Sequence, residues 1–150
     1  MQKVFPIPVD EAEFIPVEVV PNSQRTRKVV QIVDPEFSSV CPKTGLPDYG
    51  RVILRYVPDE NCVELKAWKL FLRSFYGVGS FHEDCTQRIA DAFTEAVQPH
   101  WCTIVIDWGA RGGLHTTTKL TWSKGKGYVS FPSDWEDPIL IKHAKGWTNR

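Results

Sequence analysis

The chain has 150 residues, and its 18 basic and 18 acidic side chains cancel. That length holds one ordinary domain with a real core, and the neutral balance gives no global reason to expect nucleic-acid binding. Apolar residues make up 42%, but no run approaches the ~20 needed to cross a membrane; Met1 to Asp10 also lacks signal-peptide order, so a cytoplasmic protein is expected.

Residues 1–27 are rich in Pro, Val and charge, with Pro6, Pro8, Pro16 and Pro21. They read as an extended arm with little packed structure of its own, preceding a single domain over 28–150. Lys28–Val33 is a short β-branched run and a predicted strand. A turn follows over Cys41–Asp48, punctuated by Pro42, Gly45 and Pro47, and Tyr49–Val57 alternates as an antiparallel strand does. After a turn at Pro58–Asn61 the period changes. Val63, Ala67, Leu70, Phe71, Ser74 and Phe75 recur at helical steps, and Gly77-Val-Gly79 ends that helix. A second helix is predicted from about Phe81 to Val97, stopped by Gln98-Pro99. Trp101–Trp108 and Leu114–Trp122 are predicted strands separated by a turn at Arg111-Gly-Gly113, and the tail from Ser123 reads as irregular. Strand, strand, helix, helix, strand, strand implies an α+β fold: a four-stranded antiparallel sheet with both helices on one face. Its open edges invite pairing with neighbouring subunits, so a ring-like oligomer is expected.

Three segments carry the chemistry. Cys41 and Asp48 flank a rigid turn, where a thiolate nucleophile and a carboxyl proton donor could work together; the alternative is a turn with a buried cysteine. Lys66 and Lys69 lie three apart on the first helix and could grip phosphates, or form a solvated face. Glu64 at that helix start could simply satisfy free amides. In Phe81-His-Glu-Asp84, His82 and Glu83 could read a purine-like ring, or cap the second helix. Two basic knots, Arg25/Arg27/Lys28 and Lys119/Lys124/Lys126, are solvated surface or an anion contact. Cys62, Cys85 and Cys102 form no CxxC pair with each other or with Cys41. A structural zinc site of the usual spacing is therefore not expected, nor are disulfides in a reducing compartment.

Taken together, these stretches resemble the 7-cyano-7-deazaguanine reductases, the nitrile reductases of queuosine biosynthesis. The matching text is Ser39-Val-Cys-Pro-Lys-Thr-Gly-Leu-Pro-Asp48, Tyr56-Val-Pro58, Val63-Glu-Leu-Lys-Ala-Trp-Lys-Leu-Phe71, Ser74-Phe75, Phe81-His-Glu-Asp84 and Arg111-Gly-Gly113. It covers about residues 37–113, and the helix motif Glu-(Ser/Leu)-Lys-(Ser/Ala)-hydrophobic-Lys-(Leu/Tyr)-aromatic is met in full. The resemblance implies the tunnelling fold, in which subunits join their sheets into a barrel with active sites at subunit interfaces. The compact form is similar to members that assemble as two stacked pentamers.

The resemblance also implies roles. Cys41 would attack the nitrile carbon to give a covalent thioimide, and Asp48 would protonate the nitrile nitrogen and assist later steps. Val63, Glu64, Leu65, His82 and Glu83 would hold the deazaguanine, and His82 would be a further catalytic group for proton transfer. Lys66, Lys69 and Arg111 would contact the phosphates of NADPH; the chain has no GxGxxG loop to do so. The partners implied are a small-molecule substrate and further copies of the chain, with no direct nucleic acid and no membrane. Tyr76 stands where many relatives have Arg, Leu46 where Gln is common, and residues 114–150 match less closely. Two alternatives stay open. One is a zinc-dependent cyclohydrolase of the same fold, with ligands such as Cys41, His82 and Cys85. The other is a non-catalytic purine-binding module.

Overall fold

The computed structural model describes residues 5–129. In chain order the elements are β1 (Ile7–Pro8), a single 3-10 turn at Val9–Glu11, β2 (Val19–Pro21), β3 (Val30–Val40), β4 (Pro47–Val57), β5 (Asn61–Val63), α1 (Leu65–Arg73), β6 (Val78–Gly79), α2 (His82–Val97), β7 (Trp101–Trp108), β8 (Thr117–Ser123) and β9 (Gly127–Tyr128).

The fold is α+β, but its main sheet has seven strands rather than the expected four, in the order β1-β6-β3-β4-β7-β8-β9. The four long strands β3, β4, β7 and β8 are antiparallel neighbours. Two-residue additions extend both edges: β6 and β1 run parallel on the β3 side, and β9 folds back on β8. Strands this short show no hydrophobic period, so sequence pattern could not reveal them. Gly79 also lies against Pro6 and Pro42, where an added Cβ would come within 3.3 Å of the Pro6 ring. A second, two-stranded sheet pairs β2 with β5.

The alternation along β4 and β7 sets the core. Val52, Leu54 and Tyr56 on β4 and Cys102, Ile104, Ile106 and Trp108 on β7 belong to one buried cluster with Trp68, Phe71 and Leu72 of α1 and Ile89, Phe93 and Val97 of α2. Both helices therefore cover the same face. Each large apolar side chain buried this way contributes about 1.5–3 kcal/mol before entropy is counted. The N-terminal segment lies along the domain: Phe14 packs on Phe71 and Phe75, with ring centroids 6.3 and 4.5 Å away.

The helices start at opposite ends of the sheet. The Val63 amide donates to the Tyr56 hydroxyl at 3.1 Å, which places the start of α1 beside the far end of β4. Helix α2 starts beside the β3–β4 turn and runs back until the His100 amide donates to the Val57 carbonyl at 2.9 Å. Tyr56 and Asp48 are eight strand positions apart, roughly 26 Å at about 3.3 Å per residue.

Candidate active site

Strand β3 ends at Val40, and the chain reverses through a tight turn before β4. Ser39 pairs with Asp48 and Val40 with Pro47, so the hairpin register brings both predicted catalytic residues to one end of the sheet. The Cys41 amide donates to the Leu46 carbonyl and the Gly45 amide to the Cys41 carbonyl, each at 2.9 Å. Gly45 has φ +70°, a left-handed conformation that glycine adopts without strain. Inside the turn the Leu46 amide donates to Thr44 Oγ1 at 3.2 Å.

Asp48 is 4% exposed and engaged from two sides. Arg111 Nη1 donates to Oδ1 at 2.6 Å, and His82 Nε2 lies 3.3 Å from Oδ2. Arg111 reaches this position from the β7–β8 connection, where Arg111 and Leu114 form a bridge across Gly112 and Gly113, both with positive φ. Its Nη2 also donates to Thr44 Oγ1 at 3.3 Å. His82, the first residue of α2, stacks on Trp108 with centroids 4.0 Å apart and planes at 10°. Trp108 Nε1 donates to Thr118 Oγ1 at 3.0 Å. Thr118 and Thr86 share a hydroxyl contact at 2.6 Å, and Thr86 donates to the His82 carbonyl at 2.7 Å. This closed circuit fixes the imidazole without using its nitrogens.

The Cys41 thiol is lowered from 9.0 to about 7, first by the Thr44 side chain, then by the Thr44 and Lys43 amides, with a smaller push from Arg111; partial burial opposes them. About half the thiol is then thiolate at neutral pH, against about 1% for an unperturbed group. Arg111 is raised, mainly by Asp48 and then by Cys41, so one guanidinium faces both groups. The other cysteines differ in kind. Cys85 and Cys102 are buried in the core; burial raises the Cys102 thiol to about 12 and the Cys85 thiol further.

The structure thus brings Cys41, Asp48, His82 and Arg111 together, with Glu83 exposed in the same first turn of α2. Phe81 makes no side-chain cap on that helix. Val63, Glu64, Leu65, Lys66 and Lys69 lie toward the other end of the sheet, where the Val63 amide meets Tyr56. Val63 is in the core. Glu64 caps α1 by accepting from the Lys66 and Ala67 amides at 3.0 and 2.7 Å, which hold its carboxyl below the ordinary range. Leu65, Lys66 and Lys69 are exposed. Among the described residues no three His, Cys, Asp or Glu side chains are grouped to hold a metal, so Cys41, His82 and Cys85 do not form a ligand set. Sequence reading missed Thr44 and Trp108. A hydroxyl two residues before a turn's end was a usable signal for the first; nothing in the Trp101–Trp108 pattern marked the second as a platform for His82.

A family model described as QueF-like protein matches residues 47–126. A protein of Chlorobaculum tepidum named NADPH-dependent 7-cyano-7-deazaguanine reductase is 45% identical over 111 residues, covering 73% of this chain and 95% of the relative. A protein of the same name from Rhodopirellula baltica is 46% identical over 107 residues, covering 71% of this chain and 88% of the relative. Among solved structures, the archaeosine synthase QueF-Like in the apo form superposes with a TM-score of 0.61 at 20% identity, covering 67% of this chain and 97% of that one. This last likeness is one of fold.

Proposed function

The chain belongs to the QueF-like family, and from that membership we propose that it is an NADPH-dependent reductase of 7-cyano-7-deazaguanine, converting the nitrile to a primary amine in queuosine biosynthesis. The observation that carries this reading is the hairpin that brings Cys41 to the same end of the sheet as the buried Asp48, whose carboxyl Arg111 and His82 engage from two sides. A free nitrile is a poor hydride acceptor. The Cys41 thiolate adds to the nitrile carbon, a C–S bond forms as one C–N π bond breaks, and Asp48 delivers the proton that the nitrogen takes up. The resulting thioimide is the better acceptor. His82, stacked on Trp108 and 3.3 Å from Asp48, stands where it can return a proton to the carboxyl.

NADPH, when bound, supplies hydride for the two reductions. Lys66 and Lys69 fit its phosphates, because both are exposed, three residues apart on one helical face, and in no ion pair with a described residue. Arg111 is a third candidate, although Asp48 and Thr44 already engage it. Glu83 accepts from the guanine-like N–H edge, and a base lacking that edge leaves the carboxylate unpaired. The Val63–Leu65 segment sits roughly 26 Å along the strands from Cys41 in one chain. For it to touch the same substrate, a second subunit must provide it. We therefore assign the site to a subunit interface within a barrel-like homo-oligomer, two stacked pentamers being the form assumed, in the cytoplasm. Glu64 then acts by holding the start of α1, and Leu65 with it, in place.

Intact-protein mass spectrometry after mixing with 7-cyano-7-deazaguanine, without NADPH, tests the reading. A one-equivalent adduct that disappears in Cys41→Ala is expected. Folded wild-type protein that binds the nitrile and forms no adduct would overturn it.

A further inference from the structure

We propose that Thr118 is a positioning residue for His82: it ties Trp108 to the first turn of α2, so that the imidazole lies flat on the indole with Nε2 at Asp48. The inference rests on His82 serving Asp48 in the proposed reaction, and Thr118 acts only through its neighbours.

His82 opens α2, and Phe81 gives that end no side-chain cap. What holds the ring is therefore tertiary. The imidazole stacks on Trp108 at 4.0 Å and 10°, and the indole is itself held. Gly50 pairs with Trp108 across β4 and β7, and a Cβ added there would come within 3.4 Å of Trp108 Cε3. Phe37 packs against the indole edge to face, with centroids 5.8 Å apart. The hydrogen bonds then run in one direction only. An indole N–H donates and cannot accept, so Thr118 Oγ1 accepts from Trp108 Nε1 at 3.0 Å. Thr86 uses its single proton on the His82 carbonyl at 2.7 Å. In the 2.6 Å contact between the two hydroxyls, Thr118 must therefore be the donor. The bonds lead from Trp108 to Thr118 to Thr86 to His82, each hydroxyl donating once and accepting from the group before it, an alignment in which successive bonds strengthen one another. Trp108 and Thr86 are buried, so removing the Thr118 hydroxyl strands an indole N–H away from water. One side chain on β8 thus ties the platform on β7 to the backbone of the α2 residue that lies on it.

The test is a double-mutant cycle on the full chain, read in two ways. Carbethoxylation of His82 by diethyl pyrocarbonate, followed by peptide mass spectrometry without nitrile or NADPH, reports how freely the imidazole leaves its stack. Thr118→Val keeps the shape of threonine and can neither donate nor accept; it should raise the His82 rate about three- to tenfold, the worth of about one hydrogen bond. Thr118→Ser should restore the wild-type rate, and Thr86→Ala, which cuts the next link, should act like the valine if that variant fails to fold. With 7-cyano-7-deazaguanine, kcat for NADPH consumption should fall by a similar factor in Thr118→Val. In a His82→Gln background the same substitution should change the residual kcat by less than about twofold, because no imidazole is left to aim. An unchanged His82 rate or an unchanged kcat in Thr118→Val, a serine variant as fast as the valine, or an equal fall in kcat with and without His82 would overturn the proposal. The modification assay contains no nitrile, so wild type without turnover, alongside the expected His82 rates, would count against the proposed reaction and leave the hold of Thr118 on His82 standing.

Discussion

Asp48→Asn separates proton delivery from thiol activation. The replacement keeps the shape of a side chain that is 4% exposed but removes its charge and its proton. Two contacts change: Arg111 Nη1, now 2.6 Å from Oδ1, loses its anionic partner, and His82 Nε2, 3.3 Å from Oδ2, loses its acid–base neighbour. Positioned proton donors contribute about 10²- to 10⁴-fold, so turnover should fall by that factor, about 3–5 kcal/mol of barrier. The thiol should respond in the opposite direction. With Asp48 neutralised, the Arg111 charge is balanced by Cys41 alone, and a nearby negative charge is gone; both favour the thiolate and should lower its midpoint by up to about one unit. Nitrile turnover, followed as NADPH consumption, should therefore collapse while iodoacetamide alkylation at pH 6 rises. Turnover within about tenfold of wild type would remove Asp48 from proton delivery. A parallel collapse of alkylation would make it a support for the thiol instead.

Three further outcomes are expected. Because the Cys41 thiol is lowered to about 7 and only the thiolate attacks, nitrile adduct formation should rise about tenfold per pH unit from pH 5 and level off above about 8; an inflection near 9 would contradict the lowered value. Glu83→Ala should weaken deazaguanine binding by about 10- to 200-fold, the worth of hydrogen bonds to a charged group, with NADPH affinity within about twofold by calorimetry; equal losses for both would refute its role as base reader. Ile104→Ala, in a side chain that is 0% exposed between Leu54 and Leu120 in register, should cost about 2–5 kcal/mol in urea unfolding, and a loss below about 1 kcal/mol would mean that the face is not closed as described.

What the sequence revealed depended on the length of its periodic signals. Helix α2 ran as expected because its apolar face repeats over four turns and Gln98, in a left-handed conformation at φ 50°, stops it before Pro99. The β-branched pattern predicts a strand only to Val33, yet β3 continues to Val40. Asp34-Pro35-Glu36 breaks the alternation, and the structure accommodates it with a register shift between Asp34 and Phe37 rather than an end. Strand β8 begins later than read, at Thr117, because the Arg111–Leu114 bridge prolongs the turn. The composition of the tail predicts irregular structure, but Gly127–Tyr128 pairs with β8; the part of it beyond 129 lies outside the described residues. For the site, motif spacing put Cys41, Asp48, His82 and Glu83 on one list, and the fold puts them at one end of one sheet. The contacts that tune them are tertiary. Arg111 arrives from 63 residues away, a pairing no local pattern encodes.

The separation of the Cys41 end from the Leu65 end leads to a result that one chain cannot mimic. If Cys41, Asp48, His82 and Glu83 of one subunit meet the Leu65 segment of a neighbour, Cys41→Ala and Leu65→Arg disable different halves of each site. Leu65 is 62% exposed, so the arginine burdens the proposed contact without entering the core. Each variant alone should be inactive. Co-assembled in equal amounts at random, about a quarter of the interfaces in a symmetric ring should pair an intact Cys41 with an intact Leu65, and turnover should recover to about that share. If the whole site lay within one chain, every chain in the mixture would carry one lesion, and no recovery could occur. Absence of recovery in oligomers shown to contain both variants would therefore refute a site shared between subunits, and an active Leu65→Arg variant would place Leu65 outside the site.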